Sequence, residues 1–131
     1  MTFMDNELEY NKRIVREYYE LAFNDRKPEE AVQKYMGSYY RQHNPQAADG
    51  AEPFINFVHY FAQTFPGLHL DIKRMIAEGD LVVTHSHITR HADDRGMAVV
   101  DIFRLEDGKI VEHWDVLQEI PETAANNNTM F

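Results

Sequence analysis

The chain has 131 residues, a length typical of one domain that buries a sizeable hydrophobic core. Its formal net charge of −9, with no basic stripe, excludes sequence-independent binding to nucleic acid or to anionic lipid, because both need clustered Lys and Arg. The absence of cysteine excludes disulfides, a thiolate nucleophile and Cys-ligated zinc or iron–sulfur sites. We therefore expect one domain, 1–131, with neither nucleic acid nor membrane as a partner.

No segment has the length and apolar composition of a membrane span. The first ten residues carry acidic side chains where a signal peptide would carry positive charge and then an apolar run. These features predict a cytoplasmic protein, and the ends at 1–6 and 122–131 are expected to be flexible.

Helical periodicity characterises the first half of the chain. Apolar residues recur at helical spacing from about Glu7 to Asn24, with Asn6 and Glu9 placed as a capping pair. A second, shorter helix is predicted over Pro28 to Met36, because proline suits a first helical turn and Gly37 can end the helix. The two helices are expected to form a hairpin.

The third helix carries an aromatic stripe that Pro66-Gly67 ends. Its apolar residues follow helical spacing and are Phe54, Phe57, Val58, Phe61 and Phe65. The stripe predicts core packing against a sheet, and this role is compatible with lining a pocket.

After Pro66 the hydrophobic period changes to two. Four strands are predicted, near Leu68 to Ala77, Leu81 to His91, Met97 to Glu106 and Lys109 to Glu119. Helices followed by sequential antiparallel strands predict an α+β fold, with the helices on one face of a curved antiparallel sheet. Such a sheet can enclose a cavity.

Asp101 is the most informative residue, because it lies within the apolar strand segment 99–103. A carboxylate in such surroundings is either satisfied by a hydrogen-bonding partner or held there for proton transfer. The first interpretation gives Asp101 a structural role, and the second makes it a candidate general base.

A two-residue turn at Asp107-Gly108 would fix the pairing of the last two strands. It would place Asp101 opposite Trp114 and Phe103 opposite Glu112. By alternation, Asp101, Phe103 and Trp114 would share the inner face, and the outer face would carry Arg104, His113 and Asp115.

The pairing of the preceding hairpin depends on its loop. A three-residue loop, 93–95, would place His87 opposite Asp101 and His85 opposite Phe103, on the same face. A slip of one residue would place Ser86 there instead.

The segment 101–115, with the sequence DIFRLEDGKIVEHWD, and the segment 40–45, YRQHNP, resemble the SnoaL-like polyketide cyclase group of the nuclear transport factor two-like superfamily. The resemblance covers nearly the whole chain, from the first helix to Pro121. It implies a conical barrel in which N-terminal helices close a strongly curved antiparallel sheet around one pocket. It also implies a homodimer assembled through the sheet.

The resemblance also implies a chemistry. The acid/base aspartate of the cyclases falls on Asp101, and the histidine of the preceding strand falls on His87. These positions imply a cofactor-free intramolecular aldol condensation, with His43 and Asn44 as hydrogen-bonding residues of the pocket. The match is closer to small bacterial SnoaL-like proteins than to the polyketide cyclases themselves, so the resemblance does not identify the substrate of this chain.

Our first hypothesis is a small cofactor-independent enzyme that performs aldol- or isomerase-type acid/base chemistry on a carbonyl-containing apolar molecule. Asp101 would transfer the proton, and His87 would orient the substrate or stabilise its oxygen. The candidate substrate-binding residues are His43, Asn44, His85, Phe103, Trp114, Tyr18 and Phe57. The alternative is a non-catalytic dimeric module of the same fold that binds a small molecule.

Two further interpretations concern other side chains. Tyr18, Tyr19, Phe23, Tyr39 and Tyr40 are core residues or line the cavity, where a tyrosine hydroxyl could stabilise an oxyanion. His85 and His87, with His43 or Asp101 nearby, could converge on a metal ion. Because no third ligand follows at a characteristic spacing, we expect neither a metal nor a cofactor.

Overall fold

The computed structural model describes residues 5–131, which fold into helices packed against one five-stranded sheet. The helices are α1 (Asp5–Tyr19), a π-helical turn (Glu20–Asn24), α2 (Pro28–Tyr35) and α3 (Ala51–Thr64). The strands are β1 (Met36–Gln42), β2 (His69–Glu78), β3 (Leu81–Thr89), β4 (Met97–Glu106) and β5 (Lys109–Glu119). None of the helices in this described range is long and apolar enough to cross a membrane.

The predicted α+β cone is confirmed, with the helices covering one face of the sheet. The sheet has the order β1-β5-β4-β3-β2 and is not closed on itself. Strands β2 to β5 form the expected antiparallel meander, whereas β1 pairs in parallel with β5. Strand β4 therefore lies in the middle of the meander, with β3 on one side and β5 on the other.

Two predictions concern the start of the chain. Residues 1–4 of the expected flexible end lie outside the described residues, and the other two already belong to α1. Because Asp5 already belongs to α1, Asn6 and Glu9 lie inside the helix and are not its capping pair.

Strand β1 was not predicted. Helix α2 ends at Tyr35, and Gly37, which was expected to end a helix, lies within a strand that pairs with β5. A Cβ atom at Gly37 would approach Val111 Cγ1 to 2.7 Å, so glycine permits the close contact between the two strands.

The predicted pairing of β3 with β4 was wrong. The loop spans 90–96, and Thr84, not His87, pairs with Asp101. The Asp94 carboxylate organises this longer loop, because it accepts hydrogen bonds from the backbone and side chain of Arg90 and from the backbone N–H of Gly96. Gly96 has φ +79°, a left-handed conformation that glycine adopts readily.

The predicted pairing of β4 with β5 is right at the turn and wrong beyond it. Leu105 pairs with Ile110 as expected, but Arg104 pairs with Glu112, so Val111 is an extra residue in a β-bulge. Beyond the bulge every side chain of β5 is shifted by one position. As a result, Asp101 pairs with Asp115 and not with Trp114.

Residues 120–131 form neither helix nor strand. The Phe131 ring nevertheless packs against the outer face of the sheet, with its centroid 4.6 Å from that of His87 and 5.3 Å from that of His85. The last residue therefore contacts the domain, which the expectation of a flexible segment 122–131 did not foresee.

Candidate active site

Asp101 lies at the centre of the inner face of the sheet and is 1% exposed. Its Oδ1 atom accepts a hydrogen bond of 2.7 Å from the Tyr19 hydroxyl and lies 2.7 Å from His113 Nε2. Its Oδ2 atom lies 3.4 Å from the Thr84 hydroxyl. The predicted burial of this carboxylate is confirmed, and its hydrogen bonds explain how the fold tolerates it.

His113 reaches Asp101 because of the β-bulge at Val111. Its register partner on β4 is Phe103, and the residue is buried, with 4% exposure. The second ring nitrogen, Nδ1, lies 2.8 Å from Gln42 Oε1 on β1. His113 was predicted to lie on the outer face of the sheet, and this prediction was wrong.

Tyr19, at the end of α1, closes the cluster from the helical side. Burial, followed by the negative charge of Asp101, raises the pKa of Tyr19 well above its usual value. The phenol therefore stays protonated and donates to the carboxylate. The adjacent Tyr18 is fully buried and stacks on Tyr19 and Phe54, and its ring forms a T-shaped pair with that of Phe103.

Asp115 extends the cluster toward the surface. It is the cross-strand partner of Asp101, is only partly buried and accepts a 2.9 Å hydrogen bond from Asn44 Nδ2. Burial is the main factor that raises the pKa of Asp115, and the nearby Asp101 charge acts in the same direction. His113 and Asn44 oppose this rise. Two carboxylates thus occupy different environments within one site.

The predicted partner of Asp101, His87, lies on the opposite face of the sheet. Its Nε2 atom is 2.7 Å from the carbonyl oxygen of Arg95, and its backbone pairs with Ala98. His85 also faces outward, beside the Arg74 guanidinium. The predicted placement of both histidines next to Asp101 and Phe103 was therefore wrong, because the 90–96 loop sets a different register.

His43 and Trp114 also lie away from Asp101. Their rings stack with centroids 4.7 Å apart and an interplanar angle of 6°, and His43 Nε2 lies 2.6 Å from Glu112 Oε2. Trp114 neighbours His113 along β5 and points to the outer face by alternation. The expected proximity of Trp114 to Asp101 was wrong.

Of three other predicted residues, Phe103 and Asn44 contact members of the Asp101 cluster, whereas Phe57 lies farther out. Phe103 is fully buried, with its ring centroid 4.9 Å from Tyr19 and 5.1 Å from His113. Asn44 reaches the site through Asp115. Phe57 is 46% exposed, and its ring lies 6.4 Å from that of Phe23.

Within residues 5–131, one group of three side chains has the spacing of metal ligands: Asp101, His113 and Asp115, whose ligand atoms lie within 4.8 Å of one another. Asp101 and His113 already contact each other at hydrogen-bond distance, and Tyr19 donates to the same oxygen. These contacts occupy Oδ1 of Asp101 and Nε2 of His113. His85 and His87 do not belong to the group.

A family model of the SnoaL-like domain matches residues 15–113, a span that includes Tyr19, Asp101 and His113. The chain belongs to the SnoaL-like domain family. No curated protein matches this SnoaL-like chain.

Solved structures share the SnoaL-like fold at low sequence identity. TsrD from Streptomyces laurentii has a TM-score of 0.70 and 23% identity, over 82% of this chain and 87% of its own. A candidate polyketide cyclase from Bacillus cereus has a TM-score of 0.75 and 21% identity, over 88% and 78% of the two chains. A candidate ketosteroid isomerase from Kribbella flavida has a TM-score of 0.70 and 22% identity, over 92% and 86%. At these identities the likeness establishes the fold alone.

Proposed function

We propose that the protein is a small cofactor-independent enzyme that performs acid/base chemistry on a carbonyl-containing, largely apolar molecule. The reaction is of the aldol or isomerase type, and Asp101 is the general base. The observation that carries this proposal is the buried carboxylate with two close polar partners, Tyr19 and His113, on the inner face of the cone. The family membership and the neighbours described as cyclase and isomerase agree with it.

The two oxygens of Asp101 have different roles in this proposal. Oδ1 is held by Tyr19 and His113. Oδ2 has a single, long contact with Thr84 among the described residues, so it is the oxygen free to take a proton from carbon. Removal of that proton leaves an enolate. In an isomerisation the proton returns to another carbon of the conjugated enolate, whereas in an aldol reaction the original carbon attacks a second carbonyl group.

Asp115 and Asn44 are suited to the substrate oxygen. A protonated Asp115 can donate a hydrogen bond to the enolate oxygen, and its raised pKa favours this form. The Asn44 side chain holds Asp115 and lies partly exposed at the same place. Asp101 thus removes the proton while its cross-strand neighbour stabilises the resulting negative charge.

A row of packed aromatic rings, here called the apolar route, extends from the surface to the residues around Asp101. The exposed Phe57 ring contacts Phe23, and Phe23 lies 5.2 Å from Tyr19, which contacts the carboxylate. Leu117, two residues beyond Asp115 on the same face of β5, is also exposed. These side chains favour an apolar substrate. Because Asp101 is almost completely covered, side chains along this route must move when a substrate enters.

The direct test is exchange of carbon-bound hydrogen. We expect the protein to accelerate incorporation of deuterium from D₂O into the positions beside the carbonyl of 2-tetralone, a bicyclic apolar ketone, as followed by proton NMR. Absence of exchange across a panel of apolar ketones and diketones, with ligand binding retained, would favour the alternative of a non-catalytic binding module.

The raised pKa of Asp115 predicts a pH effect on this activity. Asp115 stays protonated to higher pH than an exposed aspartate, and its hydrogen bond to the enolate oxygen is lost as the pH rises through its raised pKa. The Asp115→Asn variant cannot ionise, so it should lack this decline and have kcat lower by about 100-fold at acid pH. Profiles of kcat against pH for both proteins test this. An identical decline in the variant would exclude Asp115 as the donor.

We also propose that two copies associate through the outer face of the sheet. Val100 and Val116 are cross-strand partners there and are exposed, Val116 to 74%, and Ile76 adds a further exposed apolar side chain. The Val116→Lys variant should therefore be monomeric by light scattering, whereas the Tyr60→Lys variant, altered at an exposed position on α3, should remain dimeric. A monomeric wild-type protein would contradict this proposal.

A further inference from the structure

We infer that Gln42 is a positioning residue that keeps a proton on His113 Nδ1, so that His113 Nε2 and Asp101 share a single exchangeable proton. The catalytic consequence rests on the proposed function, whereas the protonation of Nδ1 does not. Gln42 lies on β1, the strand that was not predicted, and its register partner in the parallel pair with β5 is His113.

The orientation of the Gln42 amide follows from its neighbour Asn44. The backbone N–H of Asn44 lies 3.0 Å from Gln42 Oε1. A backbone N–H can only donate, so the amide atom that faces it is the oxygen and not the nitrogen. The backbone N–H of Gln42 donates to Asp49 Oδ1 at 2.8 Å, which holds the residue from its other side.

The same oxygen determines the state of His113. Nδ1 lies 2.8 Å from Gln42 Oε1, and a carbonyl oxygen has no proton to give. Nδ1 must therefore carry the proton and donate it. Since the backbone N–H of His43 also donates to the carbonyl oxygen of His113, at 2.9 Å, the two strands are held in register at this point.

The consequence appears at the other ring nitrogen. Nε2 lies 2.7 Å from Asp101 Oδ1, and at that distance two facing lone pairs would repel. One proton therefore lies between them, either on an imidazolium that donates to the carboxylate or on a carboxylic acid that donates to the imidazole. Tyr19 donates to the same carboxylate oxygen, so Oδ2 remains the oxygen that meets the substrate. In the carboxylic acid form, the Oδ1 proton passes to His113 Nε2 as Oδ2 takes the proton from carbon, so Asp101 acts as the base in both forms.

Other titratable groups also face His113. Asp115 lies on the same strand, Tyr19 contacts it from α1 with its oxygen 3.2 Å from Nε2, and the Tyr40 ring stacks over the imidazole from β1. The pKa values of Tyr19 and Tyr40 are raised by burial, so both phenols remain neutral. The Tyr19 oxygen faces Nε2 and not Nδ1, and the acceptor at Nδ1 is Gln42 Oε1.

The test reads the imidazole directly and needs no substrate. Long-range proton–nitrogen NMR spectra of protein labelled with ¹⁵N-histidine distinguish a ring protonated at Nδ1, at Nε2 or at both. The His113 signals are assigned by their loss in the His113→Gln variant. We expect wild-type His113 to carry a proton on Nδ1, with or without a second on Nε2. A neutral ring protonated only at Nε2 would overturn the inference.

Two variants separate positioning from packing. Gln42→Leu removes the acceptor and should move the neutral ring to the Nε2-protonated form, whereas Gln42→Glu keeps an acceptor and should keep Nδ1 protonated. Gln42→Leu should lower kcat by roughly 100-fold with KM little changed, because an imidazole in the wrong tautomer is a severe defect. Gln42→Glu, which keeps the acceptor, should retain much of the wild-type kcat. An unchanged His113 spectrum in Gln42→Leu would overturn the role of Gln42. The expected spectra without any detectable turnover would leave this inference standing and reject the proposed function.

Discussion

Replacement of Asp101 by asparagine is expected to lower the rate of deuterium exchange into 2-tetralone by about 10²- to 10⁴-fold, the usual contribution of a positioned general base. Asparagine has nearly the same shape as aspartate and retains an oxygen that can accept from Tyr19 and His113. It cannot take up the proton at the position of Oδ2. The loss should therefore fall on kcat, with the circular dichroism spectrum unchanged.

The matched control is Asp93→Asn, which removes the same charge from the exposed loop between β3 and β4. This variant should exchange protons at the wild-type rate. Full activity in the Asp101→Asn variant would contradict the assignment of Asp101 as the base and would leave the carboxylate a purely structural role.

Replacement of Phe103 by alanine is expected to lower the free energy of unfolding by about 3–5 kcal/mol, the usual cost of truncating a fully buried aromatic ring. Phe103 is 0% exposed, and its ring packs between the helices and the site, in contact with Tyr18, Tyr19 and His113. The truncation leaves a cavity directly beside Asp101. Urea denaturation followed by circular dichroism measures the loss.

The control for this prediction is Phe57→Ala, because Phe57 is half-exposed at the rim of the apolar route. Its effect on the free energy of unfolding should be a small fraction of that of Phe103→Ala. A loss below about 1 kcal/mol for Phe103→Ala would contradict the description of this ring as the core of the domain.

The general architecture could be predicted because local signals agreed with the fold. The strand boundaries at 97–106 and 109–119 were predicted as found, since alternation and the Asp107-Gly108 turn identify a hairpin. β1 could not be found in this way, because Met36 continues the helical pattern of α2 and the strand contains glycine and polar residues. Its strand conformation depends on pairing with β5, which is a tertiary contact.

The candidate site was predicted only in part, for a related reason. The apolar neighbours of Asp101 were sufficient to predict its burial. The identity of its imidazole partner depended on two registers, and each was decided by a feature that is weak in the sequence. The bulge at Val111 turned His113 inward, and the Asp94-organised loop turned His87 outward. A one-residue change in register exchanges the two faces of a strand, so small errors in the turns changed the whole set of side chains.

A crystal structure of the protein with an apolar carbonyl compound bound tests the role of Asp101 as the base. We expect the carbon bearing the acidic proton to lie about 3–3.5 Å from Asp101 Oδ2, with the carbonyl oxygen toward Asp115 and Asn44. The rings of Phe23 and Phe57 should be displaced from their present contact. A ligand bound on the outer face of the sheet, with Asp101 still covered, would contradict this role.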